Sequence, residues 1–516
     1  MSKFFPLDFK KLIKAGGVKF INKNPEWPVN SSKFHKLSTL LFKNLVRKTQ
    51  KVTNKKKEVI LTDFAFAFYI IQRVHLLIAK ELLKKKNIKT LSSHSSYQFL
   101  LNNKNLSQIN FEKKNYIHKI YFTIKKLFIN LYLKKNYFLN RPFFLDFGGT
   151  TKIKLNYAKK NRFNLVKDYE FFYLKDFNSI VLKDEKNFYH NFVKDLICFY
   201  EKSVLEYFNV RINLKSLIKI WKNRLIQIES FIDNKSNQVN NFDGVLLENT
   251  TRVSSRIIAC MFNRQKKKVF GFEHGNTVHN SFYVLEALNS ILFNNYVTIS
   301  KNSKKALEKT IIKFFDIKQL NKIKIISFSH ESKLKKKFIN NSKKKQHKII
   351  KKIMIMGWPM NSRIYCDHAG YHFYSKLVFE VELIKILKKN GFYVIYKPHP
   401  ERTEGISDFF KNLVDEIIYN KFDNEDVQKR ADAYIFSHIG SSAMADALCT
   451  NKQVFLLDHI TDKNTQKEHL KALHKRVNII NCKFSNKYEL NEKKIISTIN
   501  NPIKKIDFEY VRNFLF

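Results

Sequence analysis

A chain of 516 residues with 44% hydrophobic and 14% aromatic content is long enough for two or three domains and apolar enough for real cores, which excludes a disordered protein. Its net charge of +51 invites a nucleic-acid reading through counterion release. The lysines are scattered among abundant Asn, Ile and Phe, however, and clusters such as Lys55 to Lys57, Lys84 to Lys86, Lys266 to Lys268 and Lys333 to Lys345 fall mostly at expected element ends, which points to a global bias and not to a dedicated patch.

From the amino terminus, Met1 to Lys14 lacks an apolar core and predicts no signal peptide. Residues 1–56 read as a basic lead-in without a period. Val59-Ile60-Leu61 then predicts a short strand, Phe68 to Leu83 a helix and Ile88 to Leu91 a strand, together one β-α-β unit. The apolar run Phe64 to Ile71, closed by Asp63, Gln72 and Arg73, is too short to span a membrane. Residues 97–226 read as an aromatic-rich, mostly helical insertion, with Ile117, Ile120, Tyr121, Ile124, Leu127, Phe128 and Leu131 on one face. Within it, Asp146-Phe147-Gly148-Gly149-Thr150 is a turn after an apolar run, whose glycines permit close approach by a ligand.

A second β-α-β unit follows, with strands at Val245 to Leu247 and Val269 to Phe272 around a helix at Val253 to Phe262. Its strands end at Glu248 and at Glu273-His274-Gly275, which places these three polar side chains on one rim, because ligands of open parallel sheets lie beyond the carboxyl ends of the strands. A strand at Tyr296 to Ile299 and a helix from Ser300 lead to a Lys/Asn/Ser-rich linker over 316–350. Residues 351–516 alternate strands, at Ile353 to Met356, Phe392 to Tyr396, Glu416 to Tyr419, Ala433 to Phe436, Val454 to Leu457 and Val477 to Ile480, with helical patterns. That alternation predicts a doubly wound parallel sheet. The fold class is therefore α/β, with Rossmann-like domains over 57–315 and 351–516.

Two loops of the carboxy-terminal part suit phosphate. In Lys397-Pro398-His399-Pro400 the prolines fix the backbone around an imidazole, with Lys397 and Arg402 adding charge. In Gly440-Ser441-Ser442 two hydroxyls stand at a helix start, and Asp446, one turn past Ser442 on the same face, suits a ribose or sugar hydroxyl. For each loop a plain turn or cap is the bland alternative; their combination at one sheet edge favours nucleotide binding. The five cysteines, Cys198, Cys260, Cys366, Cys449 and Cys482, are odd in number and form no C-x-x-C pair, which predicts a reducing compartment and no zinc site.

Tyr396 to Pro400, Ala431 to Ser437 and Ser441 to Leu448 resemble the HP and SS motifs of bacterial surface-polysaccharide glycosyltransferases: polysialyltransferases, capsule Kdo transferases and, more distantly, CDP-glycerol glycerophosphotransferases. The resemblance is strongest over residues 350–482 and weaker over 240–305, where Glu273-His274-Gly275 is similar to a strand-end loop of that group. It implies the GT-B architecture, two Rossmann-like domains facing a cleft, with His399, Ser441 and Ser442 holding the donor's phosphates. It also implies a nucleotide-linked donor, CMP- or CDP-activated by analogy, and a glycan or lipid-linked acceptor at the inner face of the cell membrane.

The chain departs from the group at Asp446, where Glu is common, and at Asn451-Lys452-Gln453, where Gly-Lys-Pro is usual. Of the acidic motif that supplies the base in polysialyltransferases, only Phe242-Asp243-Gly244 remains. Glu248 is the favoured base, with Glu273 and His274 as rivals, and no Asp-x-Asp at a strand end calls for a metal or other cofactor. The alternatives are a GT-B nucleotide-sugar epimerase, a basic nucleic-acid or membrane-surface binding protein drawn to anionic lipid, and a degenerate scaffold.

Overall fold

The computed structural model describes residues 4–92, 142–148, 152–167, 187–248, 252–273, 284–328, 333–342, 349–357, 372–399, 409–437, 442–457, 467–484 and 486–515. A two-stranded sheet near the amino terminus pairs β1 (Phe4–Pro6) with β2 (Lys89–Leu91). The first large sheet contains β3 (Phe143–Phe147), β4 (Asn164–Lys167), β5 (Gly244–Leu247), β6 (Lys268–Phe272), β7 (Asn295–Thr298) and β8 (Lys324–Ser327). All six are parallel, in the order β4-β3-β5-β6-β7-β8. The second contains β9 (Lys352–Met356), β10 (Tyr393–Lys397), β11 (Glu416–Ile417), β12 (Ala433–Phe436), β13 (Gln453–Leu456) and β14 (Asn478–Ile479), also all parallel, in the order β11-β10-β9-β12-β13-β14. Renumbered from its own first strand, that is 3-2-1-4-5-6, an order compatible with a Rossmann-like domain.

Strands buried on both faces read as continuous apolar runs, and this explains why GVLL, AYIF and QVFL carry no alternation. One face of the first sheet packs Phe144, Leu246, Phe270 and Phe272 against Ile153 and Tyr157 of the Lys152–Lys160 helix. One face of the second packs Met354, Phe436 and Leu456 against Met444 and Leu448 of the Ser442–Leu448 helix. The opposite faces of both sheets, through Leu145 and Val245 and through Ile355 and Ile435, share one continuous core with the amino-terminal helices.

Several sequence expectations are overturned. Val59-Ile60-Leu61 is not a strand but the buried end of the Asn54–Thr62 helix, since a short apolar run does not distinguish a strand from a buried helix turn. The strand at β2 is present, but its partner is β1, so the proposed β-α-β unit does not exist. Residues 1–56 are not a lead-in. They supply β1 and the Ser31–Gln50 helix, whose Phe34, Leu37, Leu41 and Leu45 form a buried stripe hidden in the sequence by interleaved lysines.

The 97–226 stretch is helical over Phe188–Phe208 and most of Ser216–Lys235, yet it also contributes β3, an interior strand, and β4. The Phe-rich run FFLDF was masked there by the general aromatic bias; the helix expected at 117–131 lies outside the described residues. The 316–350 stretch holds β8 and the Lys333–Ser342 helix where a linker was expected.

The amino-terminal segment ties the two halves together. Trp27 stacks on His372 at 3.7 Å and donates its indole N–H to His75 Nε2 at 3.1 Å, while Phe5 and Phe20 pack on Tyr374. His75 belongs to the Phe64–Lys85 helix, and His372 caps the Phe373–Lys389 helix that covers the second sheet. Gln72, Arg73 and His75 are all buried, so the Phe64–Lys85 helix is a core helix, and no single described helix is long and apolar enough to cross a membrane.

Candidate functional site

In an open parallel sheet the strand order reverses at a switch point, and the crevice there, beyond the carboxyl ends, is where ligands bind. In the second sheet that point lies between β9 and β12. Lys397 ends β10 opposite Met356 of β9, and the chain continues into Pro398 and the half-buried His399. Gly357, just past β9, donates its N–H to the Lys397 carbonyl at 2.8 Å, and a Cβ there would meet the Tyr396 hydroxyl at 2.5 Å, so only glycine fits. Across the switch point, Ser442 opens the Ser442–Leu448 helix after β12 and is exposed. His399 and Ser442 thus stand past β10 and β12, the two neighbours of β9, at one edge.

Lys397 is less available than the sequence implies. Its side chain is buried, its ammonium donates to the Pro398 carbonyl at 2.8 Å, and burial pushes its pKa down. Tyr396 donates its hydroxyl to the buried Glu380 carboxylate at 2.9 Å and stacks on Phe410, which fixes the strand end from behind. Arg402 and Ser441 lie outside the described residues. Asp446 forms an ion pair with the buried Lys337 ammonium at 2.8 Å. The helix end behind it is capped by the fully buried Arg476, which donates to the carbonyls of Ala447, Leu448, Thr450 and Lys452 at 2.9–3.2 Å. Burial pushes Arg476 down to about 10, and it pushes Lys452, whose ammonium donates to the Gln428 carbonyl at 2.6 Å, down to about 8 against the pull of Asp432.

In the first sheet the switch point lies between β3 and β5. Glu248 follows β5, is buried, and donates its N–H to the Phe147 carbonyl at 3.2 Å, while its own carbonyl accepts from Ser255 at 3.4 Å. Gly148 sits against it with φ +84°, and a Cβ there would lie 2.7 Å from the Glu248 carbonyl oxygen, so both conformation and contact require glycine. Glu273, just past the neighbouring β6, accepts the Ile299 N–H at one carboxylate oxygen at 2.9 Å and so pins the end of β7. His274 lies outside the described residues.

The sequence reading missed one charged pair at this edge. Asp146, inside β3, is ion-paired with the fully buried Lys154 of the following helix. The signal was present, an acid within an otherwise apolar strand run ahead of two glycines. Asp146 is opposite Leu246 in register, so Asp146 and Glu248 share a face of the sheet. Asp243 lies at the opposite edge, where it accepts the Phe143 N–H at 2.7 Å. Among the described residues no group of three or more His, Cys, Asp or Glu side chains is arranged to hold a metal ion.

No protein-family model matches the chain, and no curated protein matches it.

Proposed function

We propose that this chain is a glycosyltransferase of the GT-B type, which moves a sugar or polyol phosphate from a nucleotide-activated donor to a surface glycan or lipid-linked acceptor. The observation that carries the reading is the placement of His399 and Ser442 past the two strands that flank β9, at the carboxyl edge of a parallel sheet with strand order 3-2-1-4-5-6. An imidazole and a hydroxyl so placed suit the charge that builds on a departing nucleotide phosphate. Glu248, buried just past β5 at the switch point of the other sheet, is our candidate to take the proton of an acceptor hydroxyl, with Glu273 past β6 as its rival.

A thermal-shift panel of nucleotides tests the donor site, since a ligand at about a hundred times its dissociation constant adds about 2.7 kcal/mol of stability. A shift with CMP or CDP supports a cytidine-linked donor; no shift with any nucleotide counts against the enzyme. His399→Ala lowers transfer by about a hundred- to a thousandfold while leaving the melting temperature near that of the parent. Near-normal turnover by that variant removes His399 from the site.

A further inference from the structure

We infer that Lys337 is a positioning residue for the donor-phosphate edge, acting through Asp446 to hold the Ser442–Leu448 helix in place; this rests on the reading of that edge given above. The Lys333–Ser342 helix is the first described element after β8, the edge strand of the first sheet. It presents Leu334, Lys337 and Phe338, one helical face, to the second sheet's core, where Leu334 and Phe338 join Met444 and Leu448. Lys337 is buried in that face, and its ammonium reaches the Asp446 carboxylate at 2.8 Å and the Asp423 carbonyl at 3.5 Å.

Asp446 lies one turn beyond Ser442, so the two side chains share a face of the seven-residue helix. The far end of that helix is held by Arg476 through backbone carbonyls alone. The Lys337–Asp446 pair is a side-chain tether on the face that Ser442 opens, and it arises from the segment by which the chain passes from one sheet to the other. A direct ribose contact by Asp446 would be a different role for a carboxylate whose Oδ1 already accepts from Lys337.

Inorganic pyrophosphate separates the two roles because it has the phosphates and no ribose. Binding of CDP and of pyrophosphate is measured by calorimetry for the full chain and for Lys337→Met, Asp446→Asn, the double variant and Lys337→Arg. Each single loss is expected to weaken both ligands by roughly 2- to 30-fold, the span of couplings carried by residues that touch no ligand. The double variant is expected to be no weaker than either single one, and Lys337→Arg to retain binding.

Loss of CDP binding alone in Asp446→Asn, with pyrophosphate unchanged, makes Asp446 a direct ribose ligand and overturns the proposal. So does unchanged binding in Lys337→Met. Hydrogen exchange supplies a second measurement that needs no ligand: amides of 442–448 exchange faster in Lys337→Met while those of β9 and β10 do not, and equal exchange overturns the tether. If the parent protein binds neither ligand, the donor-site reading falls, and exchange alone still decides whether Lys337 holds the helix.

Discussion

In the first sheet Asp243, immediately before β5, accepts the Phe143 N–H at 2.7 Å; in the second, Asp432, immediately before β12, accepts the N–H groups of Lys351 and Lys352 at 3.0 and 2.8 Å. Each aspartate precedes the strand across the switch point and pins the amino end of the first strand of its sheet. Each first strand is also followed at its carboxyl end by a glycine in close contact with a neighbour, Gly148 and Gly357. The two frames are alike down to individual hydrogen bonds, yet the residues at the carboxyl ends differ in charge. The first sheet offers Glu248 and the Asp146–Lys154 pair, the second Lys397 and His399. A parallel sheet fixes register at one edge and leaves chemistry to the other, so an aspartate's meaning depends on which end of its strand it occupies.

The largest effect that tests this division is on turnover. Glu248→Gln lowers transfer by about 10²–10⁴-fold if Glu248 is the base, with little change in stability. Glu273→Gln leaves the rate per folded molecule near that of the parent if the carboxylate serves Ile299 alone. Steady-state assays of both variants at matched folded concentration decide it; the reverse ranking would put the base on β6 and break the comparison.

The amino-edge aspartates give a smaller effect of the opposite kind. Asp243→Ala leaves the partly buried Phe143 N–H without its acceptor and costs about 1–3 kcal/mol in urea unfolding. Asp432→Ala costs less, roughly 0.5–1.5 kcal/mol, because the N–H groups it frees are open to water. Neither changes nucleotide binding, and a selective loss of binding in either variant contradicts a purely structural role.

The second sheet was legible in the sequence almost strand for strand, because most of its buried strands are short apolar runs bounded by Gly, Pro, Asp or Asn, as in ADAYIF and NKQVFLLD. The first sheet was half legible. FFLDF carried the same signal but stood in a stretch so rich in Phe, Tyr and Lys that its strand character did not stand out. At the site, His399 and Ser442 were readable as types at loop positions, whereas the partners of Glu273 and Asp446 were not. Those partners, Ile299 and Lys337, lie 26 and 109 residues away in the chain. The amino-terminal stripe was lost for a related reason: lysines interleaved along the helix dilute the pattern without displacing Phe34 or Leu41 from the core.

The seam that joins the two sheets gives an effect set by pH. His372 is fully buried with its Nδ1 accepting the Tyr374 N–H at 3.3 Å, and His75 accepts from Trp27 at Nε2, so each ring has one nitrogen that must stay unprotonated. Burial first, then His75 and Lys376, hold the His372 pKa well below the usual histidine range. The unfolded chain binds this proton below about pH 6.5 while the folded chain does not, so stability is full above that pH. It then falls by up to about 1.4 kcal/mol per unit as the solution is acidified toward the folded-state pKa. His372→Asn keeps a side chain able to cap the Phe373–Lys389 helix and removes the titration, so its urea midpoint falls less steeply than the parent's between pH 7 and about pH 5. Equal slopes for the two proteins would mean that His372 already carries its proton in the folded state, which its acceptor bond from Tyr374 forbids, and the seam as described here would then be wrong.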